Sequence, residues 1–118
     1  MLNFPSAVKL YLCKEPTDMR RSFDSLAMMF QCVIKQDPLS GYVFVFCSKR
    51  GNSLKLLYWD GDGYAIWYKR LEKGTFNIPL DITEDYCLDH HQLAMMLEGI
   101  DFTKIKRKKR FSLHAHSY

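Results

Sequence analysis

The sequence predicts an α+β fold: a small antiparallel sheet, a meander of three to four strands, packed against one long amphipathic helix, with a short helix near the C-terminus. Two observations carry the prediction. Between Asp37 and Gly74, three β-rich runs, Tyr42–Cys47, Leu54–Trp59 and Tyr64–Leu71, are divided by the turn clusters Gly51-Asn52-Ser53 and Gly61-Asp62-Gly63. Such spacing is that of consecutive hairpins. Ahead of them, Met19, Phe23, Leu26, Ala27, Phe30, Val33 and Ile34 recur at the spacing of one helical face. The meander also holds both tryptophans and more than half of the tyrosines, so the core is expected to be built on it.

In chain order, Val8–Cys13 alternates apolar and other residues after Pro5 and reads as a first short strand. Glu15-Pro16-Thr17-Asp18 stops it, because proline cannot join a ladder, and Thr17 or Asp18 can cap a helix start. The helix is expected to run from Met19 to about Gln36, where Asp37-Pro38 disfavours the helical conformation. Pro38-Leu39-Ser40-Gly41 then turns the chain into the meander.

The hairpin from Leu54 to Leu71 allows two registers, one centred on Gly61-Asp62 and one on Asp62-Gly63. Both sort the side chains to the same faces, because side-chain direction alternates with a period of two. One face carries Leu54, Leu56, Tyr58, Ala65, Trp67 and Lys69, and is expected to lie under the long helix. The other carries Lys55, Leu57, Trp59, Tyr64, Ile66, Tyr68 and Arg70. That mixture of aromatics and bases suits a partner or nucleic acid, but it suits a second core layer with cations reaching outward somewhat better.

Thr75–Tyr86 reads as loop. Asp89-His90-His91-Gln92 has the form of a capping box, with Leu93, Met96, Leu97 and Ile100 as the buried stripe of a short helix and Gly99 as its stop. Residues 1–103 are therefore expected to form a single α+β domain, and 104–118 a basic, flexible tail.

The chain of 118 residues carries a net charge of +4, but the charge is uneven. Lys104–Arg110 (KIKRKKR) holds six bases and no acid; without it, eleven basic residues stand against thirteen acidic ones. No apolar run approaches the roughly 20 residues of a membrane span, and the N-terminus shows no signal-peptide pattern. A cytoplasmic protein without membrane partners is expected. Cys13, Cys32, Cys47 and Cys87 form no Cys-x-x-Cys pair, and in a reducing compartment they read as buried thiols.

Enzymatic motifs are absent: there is no phosphate-cradling glycine loop, nucleophile elbow or His-Glu-x-x-His. Asp60-Gly61-Asp62-Gly63 begins like a calcium loop but lacks the later ligands, and a hairpin turn explains it. The adjacent His90-His91 point in different directions, and His114-x-His116 is an unspecific pair. A metal-dependent nuclease, the weakest of the alternative readings, needs clustered carboxylates, whereas most of the acids here occupy caps, turns and charge pairs. No catalytic residue, metal site or cofactor is expected.

The bases are more informative. Arg20-Arg21 opens the helix, where cations oppose the macrodipole; Lys49-Arg50 sits at the first hairpin turn, and Lys69-Arg70 near the end of the last strand. With Lys104, Lys106, Arg107, Lys108, Lys109 and Arg110 they could form a phosphate-binding surface. The other reading is that they are solvated or paired locally, as Arg70 with Glu72. Trp59, Tyr64 and Tyr68 are the candidates for a partner-binding face.

Several ordered blocks then carry a resemblance. Thr17-Asp18-Met19-Arg20-Arg21-Ser22-Phe23-Asp24-Ser25-Leu26, Asp37-Pro38-Leu39-Ser40-Gly41, Val43-Phe44-Val45-Phe46, Arg50-Gly51, Lys55, Trp59-Asp60-Gly61-Asp62-Gly63, Lys69-Arg70-Leu71-Glu72-Lys73-Gly74 and Leu97-Glu98-Gly99-Ile100-Asp101 together resemble the TnpB accessory proteins of insertion sequence 66 elements, which are distinct from the RNA-guided nuclease of the same name. The likeness covers about residues 2–102. It departs at Ser22 and Ser25, where glycine is common, and at Cys47, where arginine is common.

The resemblance implies an accessory factor in DNA transposition, with strand cutting left to a separate transposase and no catalytic residue to carry over. The expected partners are that transposase and DNA. The alternative is a protein-only adaptor, homodimeric through a sheet face or edge strand.

Overall fold

A computed structural model describes residues 3–79, 82 and 86–98 of the chain. In chain order these form β1 (Leu10–Leu12), α1 (Phe23–Met29) continued by a π-helical turn (Phe30–Ile34), β2 (Val43–Cys47), β3 (Ser53–Trp59), β4 (Tyr64–Arg70), β5 (Cys87–Leu88) and α2 (His90–Leu97). The strands make one five-stranded sheet in the order β4-β3-β2-β1-β5. All neighbours are antiparallel except β1 and β2, which run parallel with Leu10 opposite Val43.

This architecture corrects the expected fold class in two ways. The sheet is mixed and five-stranded rather than an antiparallel meander of three to four strands, because α1 serves as the crossover that parallel neighbours require. The helix is also short: seven α-helical residues and five π-helical ones, not a long span from Met19 to Gln36.

The late start of α1 has a local contribution and a long-range one. Asp18 accepts from the Arg20 N–H (2.9 Å), and its carbonyl accepts from the Arg21 N–H (3.1 Å), which closes a turn ahead of the helix. The carbonyls of Met19 and Arg21 would accept from Phe23 and Ser25 in a continuous helix. Both instead receive the Lys55 ammonium at 2.7 Å. The helix therefore begins after Ser22, and it stops where Lys35 turns left-handed (φ 61°) ahead of Asp37-Pro38.

The meander strands lie within about a residue of their expected spans, and the hairpin takes the register centred on Gly61-Asp62. Asp60 donates to the Gly63 carbonyl at 2.8 Å, and Trp59 stands opposite Tyr64. Gly61 has φ +87°, the left-handed conformation that this two-residue turn needs at its first central position.

The two faces are sorted as the parity requires, but their covers are exchanged. Leu54 and Leu56, with Leu10, Leu12, Val43, Val45 and Leu88, pack against Leu93, Met96 and Leu97 of α2 and against Phe76. The first helix lies on the other face, where Leu26, Ala27, Phe30 and Ile34 meet Tyr11, Phe44, Phe46 and Leu57. Phe30 contacts Phe44 edge-on with centroids 4.3 Å apart. The aromatic-basic face is thus a second core layer over much of its length. A sheet with a buried face on each side explains the unbroken burial of Val43–Phe46.

The expectation of four buried thiols is corrected too. Cys13 is buried and Cys47 half-buried, but Cys32 and Cys87 are exposed. Cys87 alternates with the buried Leu88 in β5, so period two turns it outward.

Candidate nucleic-acid interface

Three segments distant in sequence meet at one end of the sheet. The turn Ser48–Asn52 closes β2 onto β3, with Ser48 donating to the Ser53 carbonyl and Gly51 to that of Ser48, both at 3.0 Å. Gly51 has φ +78°, which favours glycine. The end of β4 lies alongside, since Ser53 is opposite Arg70 and Leu71 donates to the Asn52 carbonyl at 2.7 Å. From the other direction, Thr17 donates to the Cys47 carbonyl at 2.8 Å, which brings in residues 18–21. The Lys55 bonds to Met19 and Arg21 clamp that turn over the same end.

Arg20-Arg21, Lys49-Arg50 and Lys69-Arg70 are thereby gathered, and all six side chains belong to exposed residues. The carboxylates in these segments are Asp18 and Glu72, each engaged by an arginine. Arg20 donates to Asp18 through Nε at 3.0 Å to both oxygens and through a terminal nitrogen at 2.6 Å. These bonds hold the Asp18 carboxyl down at about 2. Arg70 approaches Glu72 at 3.7 Å, the local pairing that the sequence offered as the alternative to phosphate binding.

The remaining bases are less tied. Arg21 donates to the Ser25 hydroxyl at 3.3 Å, and Lys69 reaches the Leu97 carbonyl at 3.4 Å. Lys49 and Arg50 make no side-chain bond to any described residue. Because Lys69 touches Leu97, α2 also finishes at this end. Lys104, Lys106, Arg107, Lys108, Lys109 and Arg110 lie outside the described residues.

The aromatic candidates divide. Trp59 and Tyr64 flank the Gly61-Asp62 turn and contact edge-on at 5.2 Å, at the far end of the hairpin from the bases. Burial, and then the Asp37 and Asp24 carboxylates, push the Tyr64 phenol up. Tyr68 alone stands near the basic end, 51% exposed, with the Lys55 ammonium 4.9 Å from its ring centroid.

Lys55 is the residue whose role the sequence reading did not assign. It is buried, at 8% exposure. Its signal was a lysine inside the apolar run Leu54–Leu57, on the parity of the aromatic face. A buried ammonium needs acceptors, and backbone carbonyls supply them here.

Among the described residues, no three His, Cys, Asp or Glu side chains cluster as metal ligands would. His90 is used structurally: its Nε2–H donates to the Val8 carbonyl at 2.7 Å. No described helix is long and apolar enough to cross a membrane.

The sequence profile of the family described as IS66 Orf2 like protein matches residues 8–107. The chain belongs to this family. Membership ties it to the transposition system of that class of insertion sequence. Relatives include two Sinorhizobium fredii proteins. The chain is 37% identical to uncharacterized protein y4hO over 86% of its own length and 89% of the relative's. It is 30% identical to uncharacterized protein y4jC, over 92% of each. No solved structure matches the chain. The basic end and the hairpin of this IS66 Orf2-like protein both fall inside the matched span.

Proposed function

We propose that this IS66 Orf2-like protein is a non-catalytic accessory factor of transposition that acts beside the element's transposase and contacts DNA phosphates through the basic end of its sheet. The observation that supports this is the convergence of three dibasic pairs, drawn from positions 20–21, 49–50 and 69–70, on one end of the fold. Within these three segments six cations stand against two engaged carboxylates, although the segment outside the basic tail carries more acids than bases. The arrangement has no built pocket and no aligned base-reading helix, so its affinity is electrostatic and sequence-independent. The six bases of 104–110 add further electrostatic affinity in this reading.

The test is binding of duplex and single-stranded DNA across a salt series. Each phosphate neutralised steepens the dependence by about 0.9 log units per decade of salt on duplex and about 0.7 on single strands. Lys49→Ala with Arg50→Ala should flatten the duplex slope by up to about 1.8, and ending the chain after Thr103 should weaken binding further. A wild-type chain with no salt-dependent binding to either DNA would overturn the proposal. Capture of the transposase that survives nuclease treatment, without DNA binding, would favour the protein-only adaptor.

A further inference from the structure

The outer edge of β4 is an open strand edge among the described residues. The bonded pairs of the hairpin are marked by Asp60 with Gly63 and, at the other end, Asn52 with Leu71. Bonded and non-bonded pairs alternate in an antiparallel ladder. Ala65, Trp67 and Lys69 therefore spend their backbone groups on β3, while those of Tyr64, Ile66, Tyr68 and Arg70 point away from it. No described strand lies on that side. The edge is seven residues long, without proline or bulge, and its charges, Lys69 and Arg70, are confined to one end, so most of it lacks the devices that block edge pairing. Alongside it, α1 lies over β3 and β4 and exposes Phe23 (43%) and Met28 (65%).

We infer that this edge pairs with β4 of a second copy, antiparallel about a two-fold axis at Trp67. This inference goes beyond the DNA-contact reading and does not depend on it. The register is selected by self-complementarity. Centring on Trp67 pairs all four outward residues, Tyr64 with Arg70 of the other copy and Ile66 with Tyr68, for roughly eight backbone hydrogen bonds. The side chains agree. Each Arg70 guanidinium meets a Tyr64 ring across the joint, a cation–π pairing, and each Ile66 meets Tyr68, an aliphatic-aromatic pair favourable in sheets. On the opposite face Trp67 meets its own copy and Lys69 meets Ala65, so no two like charges stand opposite. Sliding the strands by two residues leaves part of each edge unpaired, and sliding by four in one direction sets Lys69 against Lys69. A continuous ten-stranded sheet results, with its two basic ends offset by about 20 Å along the joined strands.

The full chain, treated with nuclease, is examined by light scattering across a dilution series. The expected mass is twice that of the 13.9 kDa chain. Tyr68→Pro deletes an outward N–H while sparing the ladder to β3, and should give a monomer with an intact melting transition. A second measurement does not rely on that variant folding. With Cys32→Ser and Cys87→Ser removing the exposed thiols, Ala65→Cys and Lys69→Cys on one chain should form intermolecular disulfides under mild oxidation. These positions face each other only in the Trp67-centred register, as a close non-bonded pair. A chain that stays monomeric throughout overturns the inference. So does a dimer that cross-links no better with both cysteines than with Ala65→Cys alone.

Discussion

The Lys55 ammonium stands 4.9 Å from the centroid of the Tyr68 ring, its neighbour across β3 and β4. From there it donates at 2.7 Å to both the Met19 and Arg21 carbonyls. One buried cation thus links the sheet, the turn ahead of α1 and the basic end. It sets where the helix begins and where two arginines are presented.

Removing that cation should cost more than removing its aromatic neighbour. Lys55→Met leaves two carbonyls without their donor, and a loss of about 1–3 kcal/mol is expected by urea melting. Tyr68→Ala removes one exposed cation–π contact and should cost about 0.5–1 kcal/mol. The double variant should lose less than the sum, since both substitutions remove the same contact. Strict additivity would show that the ring contributes nothing to holding the lysine.

The Asp18–Arg20 pair predicts a pH dependence of definite sign. Hydrogen bonds from Arg20 hold the Asp18 carboxyl at about 2, below the ordinary aspartate value of about 3.9. A depressed carboxyl contributes stability that is present above the ordinary value and is lost as pH falls from there towards 2. The Arg20 side chain is 92% exposed, so the effect on global stability is small, and the decisive measurement is local. Carboxyl titration followed by NMR should place Asp18 below the other aspartates, and Arg20→Ala should return it to the ordinary range. In the proposed DNA-binding role, Asp18→Asn releases Arg20 and should raise affinity at low salt.

The start of α2 carries a complete capping box. Asp89 accepts from the Gln92 N–H at 2.7 Å, and the Gln92 side chain accepts from the Asp89 N–H at 3.0 Å. Asp89→Ala should destabilise the fold by about 1 kcal/mol, read as a lowered melting midpoint. Asp89→Asn or Asp89→Ser should recover most of the loss. Because Leu93, Met96 and Leu97 seal one face of the sheet, amide exchange at Leu10 and Leu12 should quicken in the alanine variant.

Features set by local chemistry were legible in the residues themselves. The three meander strands, the parity of the hairpin faces, the Arg70–Glu72 pair and the Asp89-Gln92 box each depend on residues close in the chain, with periods and turns that side-chain type specifies. Membership of the family was legible in the blocks from Thr17 to Asp101. The tertiary structure alone decided the rest. Val8–Cys13 alternates equally well for a parallel or an antiparallel neighbour, so nothing local made β1 the parallel partner of β2. Which helix covers which face turned on the crossover through α1, not on the apolar content of either face. The helix start was decided by Lys55, thirty-four residues beyond Arg21, whose need for acceptors outweighed the helical spacing of Met19. The same long-range bonds bring the three dibasic pairs to one end of the sheet, which their positions in the sequence do not reveal.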